Sequence, residues 1–192
     1  MIEVHIRHGE ASAETNWGVT EDGKRQAMTA AAYLRTHFPE GFTVGVHSGV
    51  RRAVETAELL GLSTISWRTD ARLREAEWRG GIEPQGVSFW QEAYDRVAAA
   101  CEDLDNYKED NKVVVSHGGT LRMVRAYREG LVGQRHELLF QAPYKYFTNC
   151  QMIIYSDKDP ETGVLEPQRL WVKSVCPWNE GQFGHDWLAV SK

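Results

Sequence analysis

Short apolar runs alternate with stretches of helical spacing along most of the chain. Residues 2–6 (IEVHI), 43–47 (TVGVH) and 112–116 (KVVVS) are brief and rich in Val and Ile, which predicts buried strands. Residues 21–37 (EDGKRQAMTAAAYLRTH) instead place small and apolar side chains along one face of a helix, and Thr20 before them suits an N-cap. The pattern therefore predicts strands and helices in alternation.

The remaining elements follow from the same criteria. Helices are predicted at residues 50–60, 89–104 and 119–130, and strands at residues 64–67, 149–155 and 168–175. Strand–helix alternation with short connections is typical of an α/β fold. We expect a three-layer sandwich with a mostly parallel central sheet flanked by helices, and an antiparallel hairpin at the sheet edge near the C-terminus. With 192 residues and 42% hydrophobic content, one domain over residues 1–192 is expected, with an irregular tail at 177–192.

Composition narrows the classes of function. The net charge is −5 with both signs interspersed, which argues against a nucleic-acid or anionic-membrane surface. The three cysteines are scattered and form no CxxC, so neither a disulfide framework nor a zinc module is indicated. No apolar run reaches the length of a signal peptide or a membrane span. We expect a soluble cytoplasmic protein without nucleic-acid or membrane partners.

Unusual polar side chains stand at the carboxyl ends of the predicted strands. Arg7 and His8 end the first strand, Arg52 lies a turn into the helix after the second, and His117 follows the KVVVS strand. In parallel sheets the carboxyl ends of neighbouring strands meet at one edge, where ligands bind. These side chains are therefore expected to converge, with Glu75 on a loop that reaches the same rim.

This set of residues describes an anion pocket. Arginine presents a planar fork of donors that fits phosphate oxygens, and the helix that begins near Gly118 adds backbone N–H groups. Phosphoryl transfer depends mostly on positioning and on stabilising the charge of the phosphoryl oxygens, which Arg and His supply without a metal. His8 can act as nucleophile through a neutral imidazole, and Glu75 can act as acid–base group if it is partly buried.

Ordered sequence blocks resemble the histidine phosphatase superfamily, also called phosphoglycerate mutase-like, and in particular its phosphatase branch. The blocks are RHGE at 7–10, VTEDGKRQA at 19–27, SGVRRAVETAE at 48–58, LREAEW at 73–78 and SHGGTLR at 116–122. RHG alone is a weak signal, but RHG, S-x-x-x-R-A-x-x-T-A, L-x-E and S-H-G-G in this order are a strong one. The resemblance runs from residue 4 to about residue 125 and carries little beyond residue 130.

The resemblance implies roles for the clustered residues. It implies that His8 is phosphorylated during turnover, that Arg7, Arg52 and His117 hold the phosphoryl group, and that Glu75 donates a proton. His117 thus counts with both the catalytic and the phosphate-binding residues, and Gly118 at the following helix start is assigned to phosphate binding. The resemblance also implies that neither a metal ion nor another cofactor takes part.

Some positions need a choice or depart from the family pattern. Arg52 rather than the adjacent Arg51 keeps the R-A-x-x-T-A frame, and Glu75 rather than Glu77 keeps the L-x-E frame. The loop after RHGE is short compared with the family. Further candidates for the rim of the pocket are Glu10, Asn16 and Ser48.

The resulting hypothesis is a metal-independent phosphomonoester hydrolase that acts on a small phosphorylated metabolite through a phosphohistidine. A phosphoglycerate mutase-type phosphotransferase is a second candidate, but the mutases that this chain resembles carry a longer insertion between the acid and SHGG. The short span from Glu75 to His117 therefore favours hydrolysis. A protein phosphohistidine phosphatase is a third candidate, and an inactive phospho-ligand binding module is a fourth. The intact set of catalytic residue types argues against the inactive module.

Overall fold

A computed structural model describes residues 1–75, 87–107, 110–131, 147–166, 169–179 and 184–191. The strands of this part of the chain are β1 Ile2–Arg7, β2 Val44–His47, β3 Trp67–Thr69, β4 Lys112–Ser116, β5 Met152–Ser156, β6 Arg169–Val175 and β7 His185–Ser191. Its α-helices are α1 Glu21–His37, α2 Arg51–Leu59, α3 Val87–Asp105 and α4 Gly118–Arg128.

The strands form one sheet in the order β3-β2-β4-β1-β5-β6-β7. The first four of these run parallel to one another, whereas β5, β6 and β7 are joined to the sheet by antiparallel pairing. Val115 of β4 pairs with Ile6 of β1 on one side and with His47 of β2 on the other. The carboxyl ends of β1, β2 and β4 therefore lie level at one edge, which confirms the predicted parallel core.

Helices cover both faces of the sheet. Val113 and Val115 of β4 lie in one buried cluster with α1 residues such as Leu34. Val114, between them, belongs to a different buried cluster that includes Leu104 of α3. Because side chains alternate along a strand, KVVVS supplies both helical layers, as the three-layer prediction requires. No helix in the described part of the chain is long and apolar enough to cross a membrane.

The C-terminal region differs in two respects from the expectation. The hairpin of β5 and β6 is present, but β5 pairs with β1 and β7 covers the outer side of β6, so the hairpin does not form the sheet edge. The expectation of an irregular tail from residue 177 is wrong for His185–Ser191, which form β7. Trp187 packs on the core beside α1, and Val190 on the core beside α3 and α4. These two residues face opposite sides of the sheet, and Leu188 between them is exposed, so the segment shows no alternation of polar and apolar positions that would indicate a strand.

A buried ionic network lies in the sheet, at the ends of β1 and β4 opposite to their carboxyl edge. Glu3 is fully buried, and Arg128 of α4 donates to both of its carboxylate oxygens over 2.9 Å. His5 lies 2.6 Å from Glu3, and Lys112 lies 3.9 Å from it. Burial opposes ionisation of Glu3, but Arg128, His5 and Lys112 outweigh it and lower the pKa of Glu3 to about 2. A polar cluster of this kind is stable only when all of its partners are present.

Replacing Arg128 with alanine is expected to destabilise the fold, because it leaves the carboxylate of Glu3 buried beside fewer cations. The free energy of unfolding in urea should fall by about 3–5 kcal/mol. Arg25→Ala is the control, since Arg25 pairs with Asp22 on the exposed face of α1 and should leave that free energy nearly unchanged. A loss in Arg128→Ala no larger than in the control would contradict the importance of the network.

Candidate active site

The carboxyl edge of the sheet brings the strongest candidate residues together. His8 leaves β1 with its backbone N–H on the carbonyl of Ser116 at 3.0 Å, and Ser48 leaves β2 with its N–H on the carbonyl of Val115 at 3.2 Å. The loops after β1, β2 and β4 therefore depart side by side.

His8 is held in a defined tautomer. Its Nδ1 lies 2.7 Å from the carbonyl oxygen of Gly9, which can only accept, so Nδ1 carries the proton. Its Nε2 is thus an acceptor and receives the Nε–H of Arg52 at 2.9 Å. Burial, and then the charges of Arg52 and Arg7, lower the pKa of His8 to about 3 despite the bond to Gly9. At neutral pH the ring is neutral, with a lone pair on Nε2.

The backbone around His8 is fixed by contacts that the sequence did not reveal. Thr56 of α2 accepts the N–H of Gly9 at 2.9 Å and donates to the carbonyl of Arg52 at 2.6 Å. Asn149 donates to the carbonyl of His8 at 3.1 Å. Thr56 fills the T of R-A-x-x-T-A, so the motif was a signal for it, whereas Asn149 lies where no motif was found. Both residues tie the loop after β1, residues 8–10, to neighbouring elements.

Gly9 and Gly23 let this loop lie directly on the first turn of α1. A Cβ on Gly9 would lie 2.7 Å from the carbonyl oxygen of Gly23. A Cβ on Gly23 would lie 2.8 Å from the backbone nitrogen of Glu10. Both separations are shorter than carbon and its neighbours tolerate, so each position requires glycine for close approach.

His117 stands beside His8 as the N-cap residue of α4. The two rings are 5.1 Å apart between centroids and inclined by 64°. Ser48 lies 2.8 Å from Nε2 of His117, and its oxygen also accepts the N–H of Val50 at 3.3 Å. The Ser48 hydroxyl proton can therefore go to Nε2, which leaves Nδ1 as the protonated nitrogen of His117. Burial, and then electrostatic interaction with His8, Arg52, Arg7 and Arg96, lowers the pKa of His117 to about 2, so this ring is also neutral at pH 7.

Arg7 and Glu75 complete the cluster. Arg7 donates to the carbonyl of Phe147, while its Nε is buried and has no hydrogen-bond partner among the described residues. A Cβ on Gly118 would lie 3.8 Å from Arg7 Nε, so Arg7 passes the start of α4. Glu75 accepts the N–H of Gly119 at 2.9 Å, and its charge acts on Arg7 and on Arg52. One carboxylate therefore faces two guanidinium groups at a helix N-terminus.

Other candidates lie apart from this cluster. The carboxylate of Glu10 accepts the hydroxyl of Thr20 at 3.0 Å at the start of α1. Asn16 is exposed at the end of a short 3-10 turn, with a positive φ of 51°, and its described contact is with that turn. Arg51 points away and pairs with Glu55 at 2.7 Å. The rival acid Glu77 falls within residues 76–86, which lie outside the described residues.

Sequence reasoning also missed a pair of residues behind Glu75. Arg96 of α3 and Thr120 of α4 both contact backbone carbonyls of the segment that carries Glu75. Thr120 follows SHGG directly, but Arg96 lies in a helix without any motif. An arginine or a threonine within a helix does not indicate such a contact by itself. The contact depends on how α3 and α4 pack against the segment before Glu75.

The arrangement suits an oxyanion. The cluster contains two arginines, two neutral imidazoles and the backbone N–H groups at the start of α4. Each of these groups can donate a hydrogen bond to an anion, and none of them carries a negative charge. Among the described residues there is no group of three or more His, Cys, Asp or Glu side chains that could hold a metal ion.

Comparisons with known proteins agree with the fold described above. A family model described as the histidine phosphatase superfamily (branch 1) matches residues 4–81, which include Arg7, His8, Arg52 and Glu75. A mycobacterial glucosyl-3-phosphoglycerate phosphatase superposes with a TM-score of 0.62 at 20% identity, over 85% of this chain and 95% of that one. A phosphoserine phosphatase of Entamoeba histolytica gives a TM-score of 0.62 at 17% identity, over 81% and 90% of the two chains. The resemblance of this chain to the histidine phosphatase superfamily is thereby confirmed.

Two curated relatives are more similar in sequence but much longer. Both are agropine synthesis reductases of Rhizobium rhizogenes, 34% and 31% identical over 131 and 142 residues. The matches cover 62% and 65% of this chain but only 29% and 31% of the relatives. The chain thus spans less than a third of their length.

Proposed function

We propose that the protein is a phosphomonoester hydrolase that acts on a small phosphorylated metabolite through a phosphohistidine at His8. The observation that carries the proposal is the tautomer of His8, with Nδ1–H bound to Gly9 and the Nε2 lone pair beside Arg52. A neutral, oriented imidazole with a guanidinium at its reactive nitrogen is what nucleophilic attack on a phosphoryl group needs.

In the first step, Nε2 of His8 forms a bond to phosphorus while the bond from phosphorus to the ester oxygen breaks. Glu75 in its protonated form gives its proton to the departing oxygen, so the alcohol leaves neutral. Arg7, Arg52, His117 and the N–H groups near Gly118 bind the phosphoryl oxygens, whose charge they stabilise during the transfer. This step leaves a phosphohistidine and an ionised Glu75.

In the second step, water attacks the phosphorus of the phosphohistidine. Glu75 takes a proton from the water, the phosphorus–nitrogen bond breaks, and the electron pair returns to Nε2. Inorganic phosphate leaves, and both His8 and Glu75 regain their starting forms. The cycle needs neither a metal ion nor another cofactor.

Neighbouring structures support a small substrate. Two structural relatives are named as phosphatases of phosphoserine and of glucosyl-3-phosphoglycerate, which are both small phosphomonoesters. The reductase activity named for the Rhizobium relatives gives no argument about this chain, because the shared segment is less than a third of those chains. The free, buried thiols of Cys101, Cys150 and Cys176 fit a reducing compartment, and we propose the cytoplasm.

The test is release of phosphate from p-nitrophenyl phosphate and from a panel of metabolite phosphomonoesters, each assayed with and without EDTA. We expect turnover that EDTA leaves unchanged. Activity that EDTA removes and a divalent cation restores would contradict the metal-free mechanism. Transfer of phosphate between a donor ester and an acceptor hydroxyl, without release, would instead identify a mutase.

A further inference from the structure

We propose that Arg96 is a positioning residue for the acid–base group Glu75, an inference that rests on the proposed function and extends it. Among the described residues, Arg96 makes no hydrogen bond to His8 or His117, although its charge acts on Glu75 and on His117. It acts on the short segment, residues 72–75, that delivers Glu75 to the pocket. That segment is the last described part of the chain before residue 87.

Arg96 of α3 clamps this segment through its backbone. Its Nη1 donates to the carbonyls of both Arg72 and Arg74, the latter at 2.8 Å. These two carbonyls flank Leu73, whose side chain is 1% exposed and packs into the core beside α3. One guanidinium therefore holds the peptides on both sides of a buried anchor, immediately before Glu75.

Helix α4 holds the same segment from the other side. The hydroxyl of Thr120 lies 3.0 Å from the carbonyl of Arg74 and 3.3 Å from that of Leu73. The carboxylate of Glu75 accepts the N–H of Gly119 at 2.9 Å. Thr120 has a single proton to donate, so it satisfies one carbonyl at a time, whereas Arg96 has enough donors for two. Arg96 is therefore the larger part of the clamp.

The placement of Glu75 matters because several cations compete for it. Glu75 interacts electrostatically with Arg7 of β1, Arg52 of α2 and Arg96 of α3. A carboxylate on a loose segment would move onto Arg7 or Arg52, which the proposed mechanism reserves for the phosphoryl group. Fixed carbonyls behind Glu75 limit this movement and keep its carboxylate at the start of α4, where it accepts the N–H of Gly119.

The chemistry of the leaving oxygen gives a readout specific to this role. A nitrophenolate leaves readily without a proton, whereas an alkoxide needs the proton of Glu75 as the phosphorus–oxygen bond breaks. A misplaced Glu75 therefore lowers kcat/KM for alkyl phosphates much more than kcat/KM for nitrophenyl phosphate. General loosening of the site affects both substrates alike. The ratio of the two values of kcat/KM separates these cases, because kcat/KM reports the first transfer even when hydrolysis of the phosphohistidine limits kcat.

The experiment compares p-nitrophenyl phosphate with glycerol phosphate in Arg96→Ala, Arg96→Lys and Glu75→Gln. Glu75→Gln shows the effect of losing the acid itself, which we expect to be a loss in kcat/KM of about 10²-fold or more on the alkyl ester. Arg96→Ala should lose about 10-fold on the alkyl ester and less than about 2-fold on the nitrophenyl ester. Arg96→Lys should recover part of the loss, because an ammonium can still donate to a carbonyl. Arg68→Ala is the control, since Arg68 is an exposed arginine whose guanidinium lies over the ring of Tyr107.

Two results would overturn the inference while the proposed function stands. One is an equal loss on both esters in Arg96→Ala, which would mean a general structural role. The other is a full further loss on the alkyl ester when Arg96→Ala is added to Glu75→Gln, since a residue that acts through Glu75 has no effect once the acid is gone. If the wild type hydrolyses neither of the two esters, the proposed function and this inference are overturned together. Thermal unfolding of each variant identifies one that fails to fold, and Arg96→Lys then provides the test.

Discussion

Replacing His8 with alanine is expected to abolish phosphate release, with a loss in kcat of more than about 10³-fold, because no other described side chain offers an oriented lone pair at that point. The wild type, mixed with a radiolabelled phosphomonoester and quenched in alkali, should carry acid-labile label on the protein. His8→Ala should carry none. Denaturing gel filtration of the quenched samples measures both results.

The matched control for His8→Ala is His37→Ala. His37 is an exposed histidine of α1 that stacks on Tyr33 and has no contact with the pocket among those described. It should keep wild-type activity and acquire label normally. Activity near the wild-type level in His8→Ala would end the covalent mechanism, whichever ester is used.

Replacing Arg52 with alanine is expected to lower kcat/KM by about 10²- to 10³-fold and to weaken inhibition by inorganic phosphate. The reason is that Arg52 is expected to serve two partners. Its Nε–H donates to Nε2 of His8, and its other guanidinium donors make no hydrogen bond to the described residues, which leaves them for phosphoryl oxygens. Arg52→Lys should recover little, because a single ammonium cannot present both sets of donors in that geometry. Steady-state kinetics with phosphate as a competitive inhibitor measure both effects.

Arg51 provides the control for Arg52, as the adjacent residue of the same type. Its guanidinium pairs with Glu55 on the outer side of α2, so Arg51→Ala should change kcat/KM by less than about 2-fold. The reverse outcome, a large loss in Arg51→Ala and a small one in Arg52→Ala, would mean that the wrong arginine of the pair has been assigned to the phosphate.

The parts of this fold that the sequence predicts well are those with local signals. Helix α1 has the predicted bounds because Thr20 caps it, with its hydroxyl 3.1 Å from the N–H of Gly23. Strand β4 also has the predicted bounds, because KVVVS is buried on both faces and only a run of apolar residues satisfies that. The convergence of Arg7, His8, Arg52 and His117 followed from the rule that parallel strands present their carboxyl ends together.

The parts that the sequence did not predict depend on contacts between distant segments. β7 exists because β6 offers a free edge, and exposed Leu188 gives no sign of that pairing. Asn149 reaches His8 across 141 positions of chain, and Arg96 reaches Arg74 across 22. A hydrogen bond from a side chain to a distant carbonyl leaves no periodicity in the sequence, so only the packed structure reveals it.

The contact between Gly9 and Gly23 limits how this protein can be engineered for thermostability. A glycine within a helix costs up to about 1 kcal/mol relative to alanine, so glycine-to-alanine changes in helices are a standard choice in stabilised variants. At Gly23 the added methyl group would push against the backbone of Glu10 and displace the loop that carries His8. Gly23 therefore weakens the first turn of α1 but allows the loop with His8 to lie against it. Stabilising substitutions are better sought away from that turn.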